Sequence, residues 1–173
     1  MERASDYIVS SYVPTLAALT KACHAWHPIA RADLVGVLVA EASSGSRFLP
    51  SVMDEVDAAR ACFEATSTQV AYASGPHTKA SDLQRVLHDS TVHMLHLSCH
   101  GVQETDPLQS HFLLSERNFS IGDVMKLDMP HAMLAFLSAC QTAKGSERQP
   151  DQAVHLAASM LFCGFRSVVG TMW

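Results

Sequence analysis

The stretch LVGVLV, residues 34–39, is an unbroken apolar run dominated by β-branched side chains. A strand with one wet face alternates apolar and polar residues, so a run without that alternation marks a strand covered on both faces. Downstream, residues 53–63 carry apolar side chains at the spacing of an amphipathic helix, which completes a strand-then-helix step. The step then repeats. Residues 69–73 read as a modest strand, and Gly75-Pro76 breaks the chain before a helix with Leu83, Val86 and Leu87 on one face. TVHMLHLS, residues 91–98, reads as the next strand. A short strand at 112–114 follows, then a helix opened by Ser120-Ile-Gly-Asp123, ending near Leu127 and closed by Pro130. Residues 133–137 form another buried strand. Asp151 can cap a helix over 152–162, Gly164 stops it, and 167–172 is a last strand. Upstream, residues 7–9 suit a strand, and Pro14 opens a helix carrying Leu16, Leu19 and Cys23.

Strands separated by helices of this length imply an α/β fold with a mostly parallel sheet and helices on both faces. In such sheets the chemistry gathers at the carboxyl ends of the strands. With 173 residues, 48% of them hydrophobic, the chain is expected to form a single domain over residues 1–173.

Charge and cysteine content exclude several function classes. Twelve basic residues against 17 acidic ones form no run of positive charge, so neither nucleic acid nor an anionic membrane is an expected partner. Ser10, Ser11 and Pro14 interrupt the N-terminal apolar stretch, and no apolar run reaches the length of a membrane span. Five cysteines, an odd number and widely spaced, read as reduced thiols in the cytoplasm. No CxxC pair occurs, and His93 and His96, three apart on a strand, point to opposite faces, so a structural zinc site is rejected. No cofactor is called for.

Two of the strands end in reactive side chains, at Ser98-Cys99-His100-Gly101 and at Ser138-Ala139-Cys140-Gln141. If they are parallel neighbours, both groups arrive at one edge of the sheet. A thiol is only slightly ionised at neutral pH, and an imidazole that accepts its proton makes it a nucleophile, a role open to His100 toward Cys140. The N–H groups of Gly101 and Cys140 could hold the oxyanion of a tetrahedral intermediate. Buried packing is the alternative reading of the pair. Cys140 is accordingly expected to alkylate first of the five thiols, with Cys23, Cys62, Cys99 and Cys163 slow. Cys62, Cys99 and Cys163 read as small core residues, and Cys23 and His24 as a helix end without a catalytic role. His96 would share a face with His100 on a regular strand, but reads better as a hydrogen-bonded core histidine; Ser110 could support the loop after His100.

The segments SSYVPTLAAL (10–19), HLSCHG (96–101), AFLSACQTAKG (135–145) and DQAVHLAASMLFCGFRSVVGTMW (151–173) together resemble the CHAT domain, a relative of caspases and separases in peptidase clan CD. The resemblance implies a caspase-like αβα three-layer sandwich, His100 as general base and acid, Cys140 as nucleophile, and an oxyanion hole from the Gly101 and Cys140 amides. It implies a cysteine endopeptidase acting on a protein or peptide substrate, linked to regulated cell death or defence signalling. A regulatory partner, or an N-terminal helical-repeat or NTPase module, is implied with it. Asp106, Glu147 and Asp151 lie in or beside the loops after the two reactive strands and could select a basic residue before the scissile bond, as acidic residues do in several relatives of the clan. Solvated loop charge or helix capping is their plainer reading. Family domains normally continue past the tryptophan matched by Trp173, so an incomplete C-terminus and little activity from residues 1–173 alone are expected. The competing function is a non-catalytic caspase-like interaction or signalling module, because a fold alone does not assign activity.

Overall fold

The computed structural model describes residues 13–24, 29–30, 33–42, 48–88, 91–139 and 156–170. Within them the chain runs α1 (Leu16–His24), β1 (Val35–Ala40), α2 (Val52–Ala65), β2 (Gln69–Ala73), α3 (Ala80–Leu87), β3 (Met94–Ser98) and β4 (His100–Val102). A single 3-10 turn (Pro107–Gln109) leads to β5 (His111–Leu113) and β6 (Phe119–Ser120), then α4 (Ile121–Val124), β7 (Leu134–Ser138), α5 (Leu156–Cys163) and β8 (Ser167–Gly170). The strand expected at 7–9 lies outside the described residues, as does the start of the helix expected from 152. Among the described residues no helix is long and apolar enough to cross a membrane.

Five strands form one sheet in the order β2-β1-β3-β7-β8, each pair parallel. The run at 34–39 lies near the middle of that sheet, which is why it carries no polar alternation: Val37, Leu38, Val39 and Ala40 are all buried. Its two faces feed two cores. Val37 and Val39, with Leu95, Leu97, Ala135 and Leu137 of the neighbouring strands, pack against Leu83 and Leu87 of α3, Ile121 and Val124 of α4, and Leu156 and Met160 of α5. Leu38 and Ala40 pack on the other side against Val52, Val56 and Phe63, the inward stripe of α2. Fully burying one such side chain contributes about 1.5–3 kcal/mol, so the two cores are the main source of stability. Gly36 has a specific reason: a Cβ there would run into the Phe63 ring, whose Cζ would stand only 3.0 Å away.

Two expectations need correction. The strand at 133–137 is buried on one face only, because Phe136 of β7 is 41% exposed; α2 packs over β2, β1 and β3, and that layer thins toward β7 and β8. A second, antiparallel sheet of order β4-β5-β6 also went unforeseen apart from its middle strand. Strands of two or three residues are too short to display a period. Phe112 and Phe119, both fully buried, anchor this small sheet to the larger core. The helix opened by Ser120 is a single turn ending at Val124, and it carries a capping box: Ser120 Oγ accepts from Asp123 N–H while the Asp123 carboxylate accepts from Ser120 N–H.

Candidate active site at the carboxyl edge of the sheet

β3 and β7 are neighbours, parallel and in register from Met94 opposite Leu134 to Ser98 opposite Ser138. His100 follows Ser98 by two residues, as Cys140 follows Ser138. The chain bends at Cys99, and His100 then opens β4, where it pairs with Leu113 and is half-buried. Gly101 pairs with Phe112 on the same ladder. The small sheet therefore holds the imidazole-bearing residue at the carboxyl edge of the large one. Cys140, Glu147 and Asp151 lie outside the described residues.

The loop after His100 is tied down by the residue expected to support it. Ser110 is fully buried and its Oγ accepts from Glu104 N–H at 3.0 Å, while its carbonyl accepts from Ile121 N–H at 2.8 Å. Asp106 is exposed, and its Oδ1 accepts from Leu108 N–H at 3.1 Å, capping the 3-10 turn. The cap and the buried serine hold the two ends of the loop.

Carboxylates that the sequence reading passed over lie nearer the strand ends. Glu41, directly after β1, is fully buried; its Oε2 accepts from Thr78 N–H at 2.8 Å, its Oε1 lies 3.5 Å from His77 Nδ1, and its own N–H donates to Ser98 O at 2.9 Å. Thr78 Oγ1 donates to Ala40 O at 2.6 Å, so the edge between β1 and β3 is a closed set of polar contacts. Glu55, in the first turn of α2, accepts from Ser98 Oγ at 2.8 Å. The available signal was positional: Glu41 is the first charge after a seven-residue apolar run, and Glu55 sits one residue beside the stripe Val52, Val56, Phe63.

His96 does not line an edge shared with His100, because the strand ends and the chain bends before the alternation can carry through. It is buried on the α2 side, its Nε2 3.3 Å from Glu55 Oε1 and its ring stacked on Phe136 at 5.2 Å. Burial lowers its pKa, with Glu55 opposing. His93 is lowered for the same reason, reinforced by His131, and its Nδ1 accepts from Val35 N–H at 3.1 Å. Both rings thus bind protons less readily folded than unfolded, so stability is unaffected above the ordinary value of 6.5 and is lost as pH falls below it. Thermal denaturation between about pH 7 and pH 5 should show a falling midpoint, with a shallower fall in His96→Gln; a slope unaltered by that substitution would count against this assignment.

The thiols divide differently from expectation. Cys99 and Cys163 are buried, and burial pushes the Cys163 thiol up to about 11. Cys62 is exposed, since it stands on the flank of α2 and lines an open groove over β3 and β7 with Met94, Leu134 and Phe136, and Cys23 is exposed as well. Brief iodoacetamide treatment of the folded chain should therefore label Cys23 and Cys62 readily and leave Cys99 and Cys163 unmodified until denaturant is added. Peptide mapping that finds Cys99 or Cys163 labelled early would contradict the packing described here.

A parallel sheet clothed by helices on both faces, with an imidazole-bearing strand end at its carboxyl edge, defines a caspase-like α/β protein. The CHAT domain family model matches residues 3–173, and the chain belongs to that family, which is caspase-like and related to proteases. No curated protein matches the chain.

Proposed function

We propose that this domain is a cysteine endopeptidase in which Cys140 is the nucleophile and His100 the general base and acid. The observation that carries the reading is the in-register, parallel pairing of β3 with β7, from whose matched ends Ser98 and Ser138 the two reactive residues follow at equal spacing. The Cys140 thiol passes its proton to His100, and the thiolate attacks the carbonyl carbon of a peptide bond. The N–H groups of Gly101 and Cys140 hold the resulting oxyanion. As the C–N bond breaks, His100 returns the proton to the leaving amine; it then takes a proton from water, which hydrolyses the thioester and frees Cys140. Asp106, Glu147 and Asp151 supply negative charge for selecting a basic residue before the scissile bond. Protein substrates in a cell-death or defence signalling setting, in the cytoplasm and under a regulatory partner, complete the proposal.

The test at the level of the site needs no substrate. Cys140 should alkylate faster at neutral pH than the exposed Cys62, and His100→Ala should remove that advantage. A Cys140 no faster than Cys62 in the unmodified protein would instead favour a non-catalytic interaction module.

A further inference from the structure

Glu55 occupies the first turn of α2, a helix that runs back from the carboxyl ends of the strands, so this turn lies over the end of β3. The start of a helix favours a carboxylate. Among the described residues no Lys or Arg pairs with Glu55; its contacts both go to β3. Ser98, the last residue of that strand and almost fully buried, donates its hydroxyl to Glu55 Oε2 at 2.8 Å, a bond strengthened by the charge of its acceptor. Glu55 Oε1 stands at ion-pair distance from His96 Nε2, 3.3 Å, although the ring nitrogen is not in hydrogen-bonding line with any partner. The His96 ring is nearly parallel to that of Phe136, its register partner on β7, with 12° between the planes.

We infer that Glu55 is a positioning residue for His100: its carboxylate grips Ser98 and so sets the direction in which the chain turns at Cys99 to deliver His100 into β4. The inference deepens the proposed reaction, since it matters to catalysis only if His100 is the base. One residue separates Ser98 from His100, so the orientation of Ser98 bears directly on the direction in which the chain leaves β3 toward His100. In the plane of the sheet Ser98 is held by the tie from Glu41 N–H to its carbonyl on the β1 side and by its register with Ser138 on the β7 side, and the hydroxyl bond to Glu55 adds the hold on the face toward α2. Through His96 the same carboxylate also meets the strand pair β3–β7 at the position where the two strands stack their rings.

The experiment compares Glu55→Ala, Glu55→Gln, Ser98→Ala and the Glu55→Ala/Ser98→Ala double variant of the whole chain by histidine-labelled NMR and by Cys140 alkylation. Glutamine still offers an oxygen to the Ser98 hydroxyl. The His100 ring signals should move in Glu55→Ala and Ser98→Ala and stay near those of the unmodified protein in Glu55→Gln. Cys140 alkylation should slow about tenfold in the two alanine variants, less than the roughly hundredfold that a 1 Å misplacement can cost, and no further in the double variant. Continued protection of Cys99 and Cys163 from alkylation shows that each variant is folded. Unmoved His100 signals in folded Glu55→Ala and Ser98→Ala overturn the inference, as does a Glu55→Gln variant that behaves like Glu55→Ala. A Cys140 that is never fast counts against the peptidase reading alone, because the His100 signals still decide the role of Glu55.

Discussion

Under the proposed reading, Cys140→Ala is expected to remove proteolysis in the full-length protein supplied with any activator that it requires, lowering kcat/KM by roughly 10⁴-fold or more, as loss of a nucleophile does in enzymes that act through a nucleophile and base pair. His100→Ala should cost about 10²–10⁴-fold, the range of general acid–base assistance. Cys99→Ala serves as the control: its side chain is buried in the larger core and should produce a packing defect without abolishing turnover. The assay is cleavage of a protein substrate under activating conditions, with single-turnover measurements to separate chemistry from binding. Equal cleavage by Cys140→Ala would end the cysteine-peptidase reading.

Among Gly36, Gly75, Gly122 and Gly164, substitution of Gly164 by alanine is expected to give the largest loss of stability. The residue ends α5 with φ at +132°, a region that residues with a side chain rarely adopt. An added Cβ would overlap the carbonyl oxygen of Met129 and lie 2.8 Å from its carbonyl carbon. Neither atom can step aside cheaply, because Met129 is itself held, its N–H donating to Cys163 O at 2.9 Å. Strain and overpacking together should cost roughly 3 kcal/mol, which in a chain of this size lowers the denaturation midpoint by about 6–12 °C. At Gly75 nothing lies within 4 Å of the position that an added methyl group would take, and Gly75→Ala should stay within about 0.5 kcal/mol of the unaltered protein. A Gly164→Ala protein as stable as Gly75→Ala would contradict the close approach of α5 to the segment before β7.

The larger sheet was legible because its strands are long enough to show their burial. Residues 34–39, 69–73 and 91–98 each carry a hydrophobic signature long enough to read as a strand, and right-handed crossover of parallel strands then limits the ways they can be joined. The stop at Gly164 and the cap at Ser120 were legible for a different reason: a backbone conformation or an orphan N–H demands a particular residue locally. Other readings failed where the deciding neighbour is remote in sequence. Cys62 looked like a core residue because it falls among apolar neighbours, yet it lines an open groove, because α2 leaves the β7 side of its flank uncovered. Phe136 looked buried for the same reason and is partly exposed because α2 does not reach across β7.

The candidate site divides along the same line. That His100 and Cys140 each follow an apolar run by a short step is a property of the chain alone, since apolar runs and the residues that follow them are local. That the two strands are adjacent, parallel and matched at Ser98 and Ser138 is decided by tertiary packing, because hydrogen-bonded register joins residues 40 positions apart. So too is the grip of Glu55 on Ser98, whose partners are 43 residues apart in the chain and meet only once α2 has packed its apolar stripe against β1 and β3. Periodicity can say which face of a helix is wet, but the group that a carboxylate beside that face will touch depends on which strand the helix covers.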